Sequence, residues 1–149
     1  MQFSFNQRAS LVTVTVHGEL TLETMKGAFA RLVNHPEFEP GMNAIWDLRQ
    51  TTINIRPGDP SKLAEYVRTR RSSRGSRYRL AMVAQTSEQW SMARTYQLVS
   101  APLPFEFRIF RDEKAAREWQ LAGSRESTEP AQVITAIRQL GQVFSPQGV

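Results

Sequence analysis

The chain has 149 residues, a hydrophobic fraction of 40% and a charged fraction of 22%, which is typical of one globular domain rather than of a disordered chain. It contains no cysteine, which excludes disulfides and thiolate metal sites. No apolar run approaches the roughly 18 residues that a membrane span needs, and the N-terminus lacks the basic start and apolar middle of a signal peptide, so we expect a cytoplasmic protein.

The beginning of the chain predicts two strands and a helix. Residues 3–5 and 11–16 have strand patterns and are joined by a short link, which favours an antiparallel hairpin. Residues 17–19 are expected to end the second strand. Thr21 is placed as the N-cap of a helix whose apolar residues share one face, and Gly27 within it indicates a close approach to a neighbouring element.

The middle of the chain contains the strand on which the predicted fold depends. Residues 43–47 have the apolar centre of a strand buried in a parallel sheet, and residues 49–58 are expected to be irregular. Asp59, followed by proline, is a cap and start signal for a second helix. The apolar run at residues 78–84, with helical patterns before and after it, indicates a strand covered by helices on both faces.

Two further helices and an edge strand complete the domain. Thr86, or the serine after it, is expected to cap a third helix, and the alternating residues 105–109 predict a last strand at the edge of the sheet. Asp112 is expected to cap a fourth helix, and the domain is predicted to span residues 1–122. Residues 123–149 are predicted to form a polar linker and then an amphipathic helix that packs on the domain or on a partner subunit.

Five segments of the chain share the order and spacing of a known fold: residues 16–21, 45–49, 79–84, 92–96 and 110–119. Together they resemble the STAS domain, the fold of bacterial anti-sigma-factor antagonists, and more narrowly a STAS-like group related in shape to CRAL-TRIO lipid-binding domains. The resemblance implies an α/β fold with a mixed five-stranded sheet, mostly parallel with an antiparallel N-terminal strand. It also implies four helices, to which the chain adds an extra C-terminal helix.

The chain departs from this family at the segment that carries its phosphorylation switch. Anti-sigma-factor antagonists resemble one another in an Asp-Ser-Gly segment after the middle strand, whose serine is phosphorylated at a helix N-terminus. The corresponding residues 50–61 offer hydroxyls at Thr51, Thr52 and Ser61 but contain no matching motif. The switch is therefore not carried over, and we expect a regulatory or ligand-binding module.

Asp47 is the first candidate binding residue, because ligands of open α/β sheets lie at the carboxyl edge of the strands. With Arg49 and Arg94 it would form a site for a protein partner or for a small apolar or anionic ligand. Two alternatives stay open. Asp47 would instead cap the following loop through backbone N–H groups, and Arg94 would be an exposed helix arginine whose stem covers apolar surface.

Basic charge is concentrated in one segment. Its arginines outweigh the net charge of +5 and lie within twelve residues that contain no acid: Arg68, Arg70, Arg71, Arg74, Arg77 and Arg79. This basic patch suggests an alternative function, the binding of nucleic acid or of an anionic membrane. Stacking partners are missing apart from Tyr78, and no recognition-helix pattern is present, which favours a solvated, mobile loop over nucleic-acid binding.

The sequence contains none of the usual catalytic or metal-binding signatures. His17 and His35 are the only histidines, and neither has a second ligand at metal-binding spacing, so we expect no metal and no cofactor. A nucleophile elbow and a phosphate-binding loop are both missing, which favours a non-enzymatic protein. The apolar stripe at residues 133–140 and the exposed last strand predict a homodimer.

Overall fold

A computed structural model describes residues 1–101 and 105–128. Its elements follow in chain order: β1 (Gln2–Asn6), β2 (Leu11–Leu20), α1 (Leu22–Val33), β3 (Asn43–Ile53), α2 (Asp59–Thr69), α3 (Arg71–Arg74), β4 (Arg79–Val83), α4 (Ser87–Val99), β5 (Glu106–Phe110) and α5 (Glu113–Thr128). The strands form one mixed sheet in the order β1-β2-β3-β4-β5, in which only β1 runs antiparallel to its neighbour. The predicted fold class is therefore confirmed.

Helices cover both faces of the sheet. Apolar residues of α1, α2 and α4 pack with one face in the larger cluster of the core, and α5 packs on the other face over a smaller cluster. Along β4, Leu80 and Met82 belong to the first cluster, whereas Ala81 and Val83 belong to the second. The strand predicted at residues 78–84 is thus an interior strand buried on both faces, as expected.

The strands β2 and β3 are longer than predicted. A bulge between Thr15 and His17, with Gly18 at a φ of +83°, lets β2 continue to Leu20 while it stays paired with β3. The prediction that residues 17–19 end the strand is therefore wrong. β3 continues correspondingly to Ile53, although residues 49–58 were expected to be irregular. The two strands form a ribbon that extends past the carboxyl end of β4.

Local hydrogen bonds set the helix starts. Thr21, Thr86 and Asp112 each accept a hydrogen bond from the backbone N–H three residues later, at 3.1, 3.1 and 2.8 Å, which confirms them as N-caps of α1, α4 and α5. Asp59 lies one position inside α2 rather than capping it. Its carboxylate accepts instead from the backbone N–H of Arg56 at 2.9 Å, which closes the turn before α2.

Four further details differ from expectation or lie beyond the described residues. α5 continues to Thr128, so the residues just after 122, expected to be a linker, are helical. The single turn α3 was not predicted. Gly27 has open space where a Cβ would stand, so the close approach predicted there is wrong. The predicted helix after residue 129 and the stripe at 133–140 lie outside the described residues, and the domain boundary and the homodimer stay predictions.

Candidate functional site

Asp47 and Arg49 form a hydrogen-bonded ion pair at the carboxyl edge of the sheet. Asp47 Oδ1 accepts from the Arg49 backbone N–H at 3.1 Å and from Nε at 2.9 Å, and Oδ2 accepts from Nη2 at 2.7 Å. Burial acts to raise the pKa of Asp47, but these hydrogen bonds and the guanidinium charge outweigh it and hold the pKa below its usual value. Arg49 Nη2 also lies 3.6 Å from Glu113 at the start of α5. The pair is therefore satisfied within the fold.

Arg94 lies on the other side of the sheet from Asp47. Alternate residues of a strand face opposite sides, and Ile45 packs in the cluster beneath α5 while Trp46 packs in the cluster beneath α4. Asp47 shares the α5 side with Ile45. Arg94 is exposed on α4, where its Nη1 donates to Gln97 Oε1 at 2.8 Å. The structure thus brings Asp47 and Arg49 together but not Arg94, and a ligand-binding role for any of the three stays a prediction.

An open cleft of about 630 Å³ lies at the carboxyl edge on the side of α2 and α4. We call it the edge cleft. The end of β3, the stretch leading into α2 and the first turns of α4 form its walls. Its apolar lining comes mainly from Ile53, Ile55 and Met92, and its charged groups are Arg56 and Glu88. A concavity therefore exists at the predicted edge, and four of its ten lining residues belong to the stretch 49–58 that was expected to be irregular.

Along α4, the surface that lines the edge cleft is largely polar, and the surface that follows it towards the end of the helix is apolar. Ser87, Ser91 and Thr95 line the cleft on successive turns of the helix. Leu98 follows Thr95 by three residues and is a large apolar side chain that is 61% exposed. The surface beside the cleft therefore offers a further apolar contact.

A buried glutamine joins the two walls of the edge cleft. Gln89 is 1% exposed. Its Oε1 accepts from the backbone N–H groups of Gln85 and Thr86 at 2.8 and 3.1 Å, and its Nε2 donates to the carbonyls of Arg49 and Thr51 at 3.3 and 3.0 Å. These bonds fix the start of α4 against β3. A role for Gln89 was not predicted from the sequence, although Thr-x-x-Gln before an apolar pattern is a capping-box signature.

The basic patch is partly helical rather than one solvated loop. It runs from the end of α2 through the turn α3 to Arg79 at the start of β4, and three of its six arginines, Arg68, Arg71 and Arg74, are helical. Arg68 pairs with an acid one turn earlier at 2.7 Å, and the Arg70 guanidinium lies 3.6 Å from the centre of the Tyr66 ring. Arg71 and Arg77 are exposed at the surface. Binding of nucleic acid or an anionic membrane through this patch stays a prediction, with fewer free cations than the sequence suggested.

Arg74, another member of the basic patch, is buried, which contradicts its expected place in a solvated loop. Its side chain and backbone together are 3% exposed. The guanidinium carbon lies 3.4 Å from the centre of the Tyr78 ring and 5.4 Å from that of Phe38. Neither Nη1 nor Nη2 has a hydrogen-bond partner among the described residues. Desolvation lowers the pKa of Arg74 to about 10, so the group stays protonated at neutral pH.

Arg74 also lines a small cavity of about 30 Å³ between the sheet and the helices α1, α2 and α4. The remaining lining is mostly apolar and includes Phe29, Trp46 and Met82. Tyr78 and Tyr96 line it as well, and desolvation raises the pKa of both phenols. The cavity lies towards the amino end of β4, away from the edge cleft.

The described residues hold neither a metal-binding cluster nor a helix that could span a membrane. No group of three or more His, Cys, Asp and Glu there lies close enough to hold a metal ion. Of the two histidines, His35 accepts the Glu37 N–H at 3.1 Å and packs against the rings of Phe3 and Phe5. No helix within residues 1–101 and 105–128 is long and apolar enough to cross a membrane.

Comparisons with known proteins agree with this architecture. The model of the SpoIIAA-like family matches residues 11–120. A similar solved structure is an uncharacterised protein of the DUF3478 family with a SpoIIAA-like fold from Shewanella loihica PV-4, which is 17% identical with a TM-score of 0.51. The match covers 80% of this chain and 90% of that one, and at this identity it supports the fold alone. No curated protein matches the chain.

Proposed function

We propose that this chain, which belongs to the SpoIIAA-like family, is a non-enzymatic regulatory module that binds a segment of a protein partner in the edge cleft. The observation that carries the proposal is the cleft itself, an open concavity of about 630 Å³ at the carboxyl edge of a mainly parallel sheet. This edge is where α/β folds of this kind bind their ligands.

The lining of the edge cleft favours an apolar partner side chain held by polar surroundings. Ile53 and Ile55 are half-buried and pack on the core, so they present a firm apolar floor. Arg56 and Glu88 supply one charge of each sign, which orients a partner more than it tightens binding. The exposed Leu98 extends the surface past the cleft and favours an extended protein segment over a small molecule.

The state of the polar groups near the edge supports binding rather than catalysis. Asp47 is held by Arg49, and Gln89 uses both its oxygen and its nitrogen on backbone groups. Neither is poised to move a proton or to attack a substrate. A cytoplasmic location belongs to the same proposal. A small apolar ligand in the edge cleft is the other outcome that the experiment below distinguishes.

The absence of cysteine allows a site-specific capture experiment. A Ser91→Cys variant places one thiol at the edge cleft, and a Ser4→Cys variant places the matched thiol on the exposed strand β1 as a control. Each is labelled with a photoreactive maleimide and irradiated in extract of the source cells. The proposal predicts a protein adduct at position 91 that is missing at position 4.

The captured protein is then purified and its affinity measured by calorimetry. Ile55→Asp buries a charge in the apolar floor, so we expect at least a tenfold loss of affinity, equivalent to ~1.4 kcal/mol. Ser4→Asp, equally charged and far from the cleft, should bind as the wild type does. Equal affinity of Ile55→Asp and the wild type, or no adduct specific to position 91, would contradict the proposal. A small molecule that copurifies with the protein and protects the thiol at position 91 from labelling would show that the edge cleft binds a small ligand rather than a protein partner.

A further inference from the structure

We infer that Arg74 and the cavity beside it form a buried site for the carboxylate group of a small monoanionic ligand. This site is separate from the edge cleft and does not depend on the function proposed above. The central observation is a guanidinium that is 3% exposed, has no hydrogen-bond partner on Nη1 or Nη2 among the described residues, and lines a cavity of about 30 Å³.

The position of Arg74 is fixed by the backbone around it. Its carbonyl accepts from the Gly41 N–H at 2.8 Å. The next residue, Gly75, has a φ of +86°, and its Cα lies so close to Gly41 and Pro40 that a Cβ would overlap them. Surface arginines usually extend their charged end into water. Here the anchored turn α3 instead directs the side chain into the core.

Stacking on Tyr78 does not satisfy this guanidinium. The ring lies against the flat face of the group, 3.4 Å from the guanidinium carbon. The N–H donors lie in the guanidinium plane and point outward from its edge, where an aromatic face cannot accept them. Stacking and anion binding thus use different parts of the side chain. A buried cation that lacks both an acid and hydrogen-bond acceptors is costly, and a bound anion removes that cost.

The edge formed by Nη1 and Nη2 fits a carboxylate, which such a fork binds through two parallel hydrogen bonds. A single guanidinium balances one negative charge, which disfavours a phosphate dianion. The cavity of about 30 Å³ has room for a group the size of a water or two, hence for the carboxylate group and at most the carbon next to it. Phe29, Trp46 and Met82 would contact that carbon. The carboxylate belongs either to a free short-chain acid or to the head of a longer amphiphile.

Three pockets that share lining residues would give an anion a path from the surface to Arg74. An open depression of about 460 Å³ is lined by Arg68 and Arg71. Both arginines also line a narrow gap of about 10 Å³, whose other walls include Arg74 and Tyr78. Those last two residues line the inner cavity in turn. Exposed cations at the mouth raise the local concentration of anions, so the basic patch would serve as the entrance to this site.

Calorimetry on the full chain tests the site with acetate, butyrate and decanoate, each compared at constant ionic strength with the alcohol of the same chain length. We expect at least one carboxylate to bind at least tenfold more tightly than its alcohol. Arg74→Met, which keeps the bulk without the charge, should lose at least tenfold in carboxylate affinity, whereas Arg8→Met, at an exposed arginine in the link between β1 and β2, should lose less than threefold. Affinity that stops rising at butyrate identifies a free short-chain acid, and much tighter decanoate binding identifies an amphiphile.

Folding of each variant is checked by circular dichroism. Arg74→Met should melt at or above the wild-type temperature in buffer without carboxylate, because it removes an unpaired buried charge. If it does not fold, Arg74→Lys replaces it, since a lysine keeps the charge but lacks the fork, and it too should lose affinity for the carboxylate. Carboxylate binding no tighter than that of the alcohols, or wild-type affinity in a folded Arg74 variant, would overturn the inference.

Discussion

Replacement of Gly75 by alanine tests how tightly α3 is docked on the preceding turn. Gly75 has φ +86° and ψ −175°, a conformation that is essentially restricted to glycine and costs other residues ~1–3 kcal/mol. An added Cβ would overlap the backbone nitrogen of Gly41 and lie 2.7 Å from the carbonyl carbon of Pro40. Because these are backbone atoms, the turn itself must shift, which adds ~1–3 kcal/mol. We therefore expect Gly75→Ala to lower the free energy of unfolding by ~2–6 kcal/mol.

Urea unfolding followed by far-UV circular dichroism measures this change. Gly27→Ala is the matched control, since Gly27 lies within α1 and a Cβ there meets nothing within 4 Å. Alanine is the better helix former, so this control should raise the free energy of unfolding by ~0.5–1 kcal/mol. A free energy of unfolding of Gly75→Ala within ~1 kcal/mol of the wild-type value would refute the close packing of α3 on residues 40–41. That threshold is roughly the low end of the backbone cost alone or of the overlap cost alone.

Three further substitutions test the polar contacts at both ends of the sheet. Asp47→Asn should lower the free energy of unfolding at pH 7 by ~1–3 kcal/mol. The pKa of Asp47 is depressed in the folded state, so its stabilising contribution is present above the unfolded-state pKa of ~3.9 and is lost as the pH falls through the folded-state pKa. The unfolding free energies of Asp47→Asn and the wild type, measured in urea, should therefore converge below about pH 4. A constant difference between them down to about pH 3 would contradict the pairing with Arg49. Gln120→Met removes two hydrogen bonds, to the carbonyls of Ala44 and Arg79, and should cost ~1–2 kcal/mol in thermal unfolding. Gln89→Met removes four and should cost ~2–4 kcal/mol, and the reverse ranking of the two glutamines would show that the edge cleft is not held by Gln89.

Local sequence patterns were sufficient to predict most of the architecture. The interior strand at residues 78–84 and the caps Thr21, Thr86 and Asp112 follow from apolar runs and from side chains that bond to nearby N–H groups. The length of β2 does not follow from such patterns. It depends on a bulge that keeps β2 paired with β3, and the pairing partner lies far away in sequence.

The candidate site was less accessible to sequence reasoning because it depends on which residues face each other. Strand alternation places Asp47 and Trp46 on opposite faces of β3, but only the topology shows which helix covers each face. The placement of Asp47 and Arg94 on opposite sides of the sheet was therefore not predicted. Nothing local distinguishes Arg74 from Arg71. Arg74 is buried because the docked turn α3 directs it onto Tyr78 and Phe38.

Hydrogen–deuterium exchange of the chain alone and with its captured partner tests the role of the edge cleft most directly. The account predicts slower exchange of backbone amides at residues 53–60 and 87–95, with β1 unchanged. Protection confined to β1 or to α5, with the cleft exchanging as in the free chain, would contradict it.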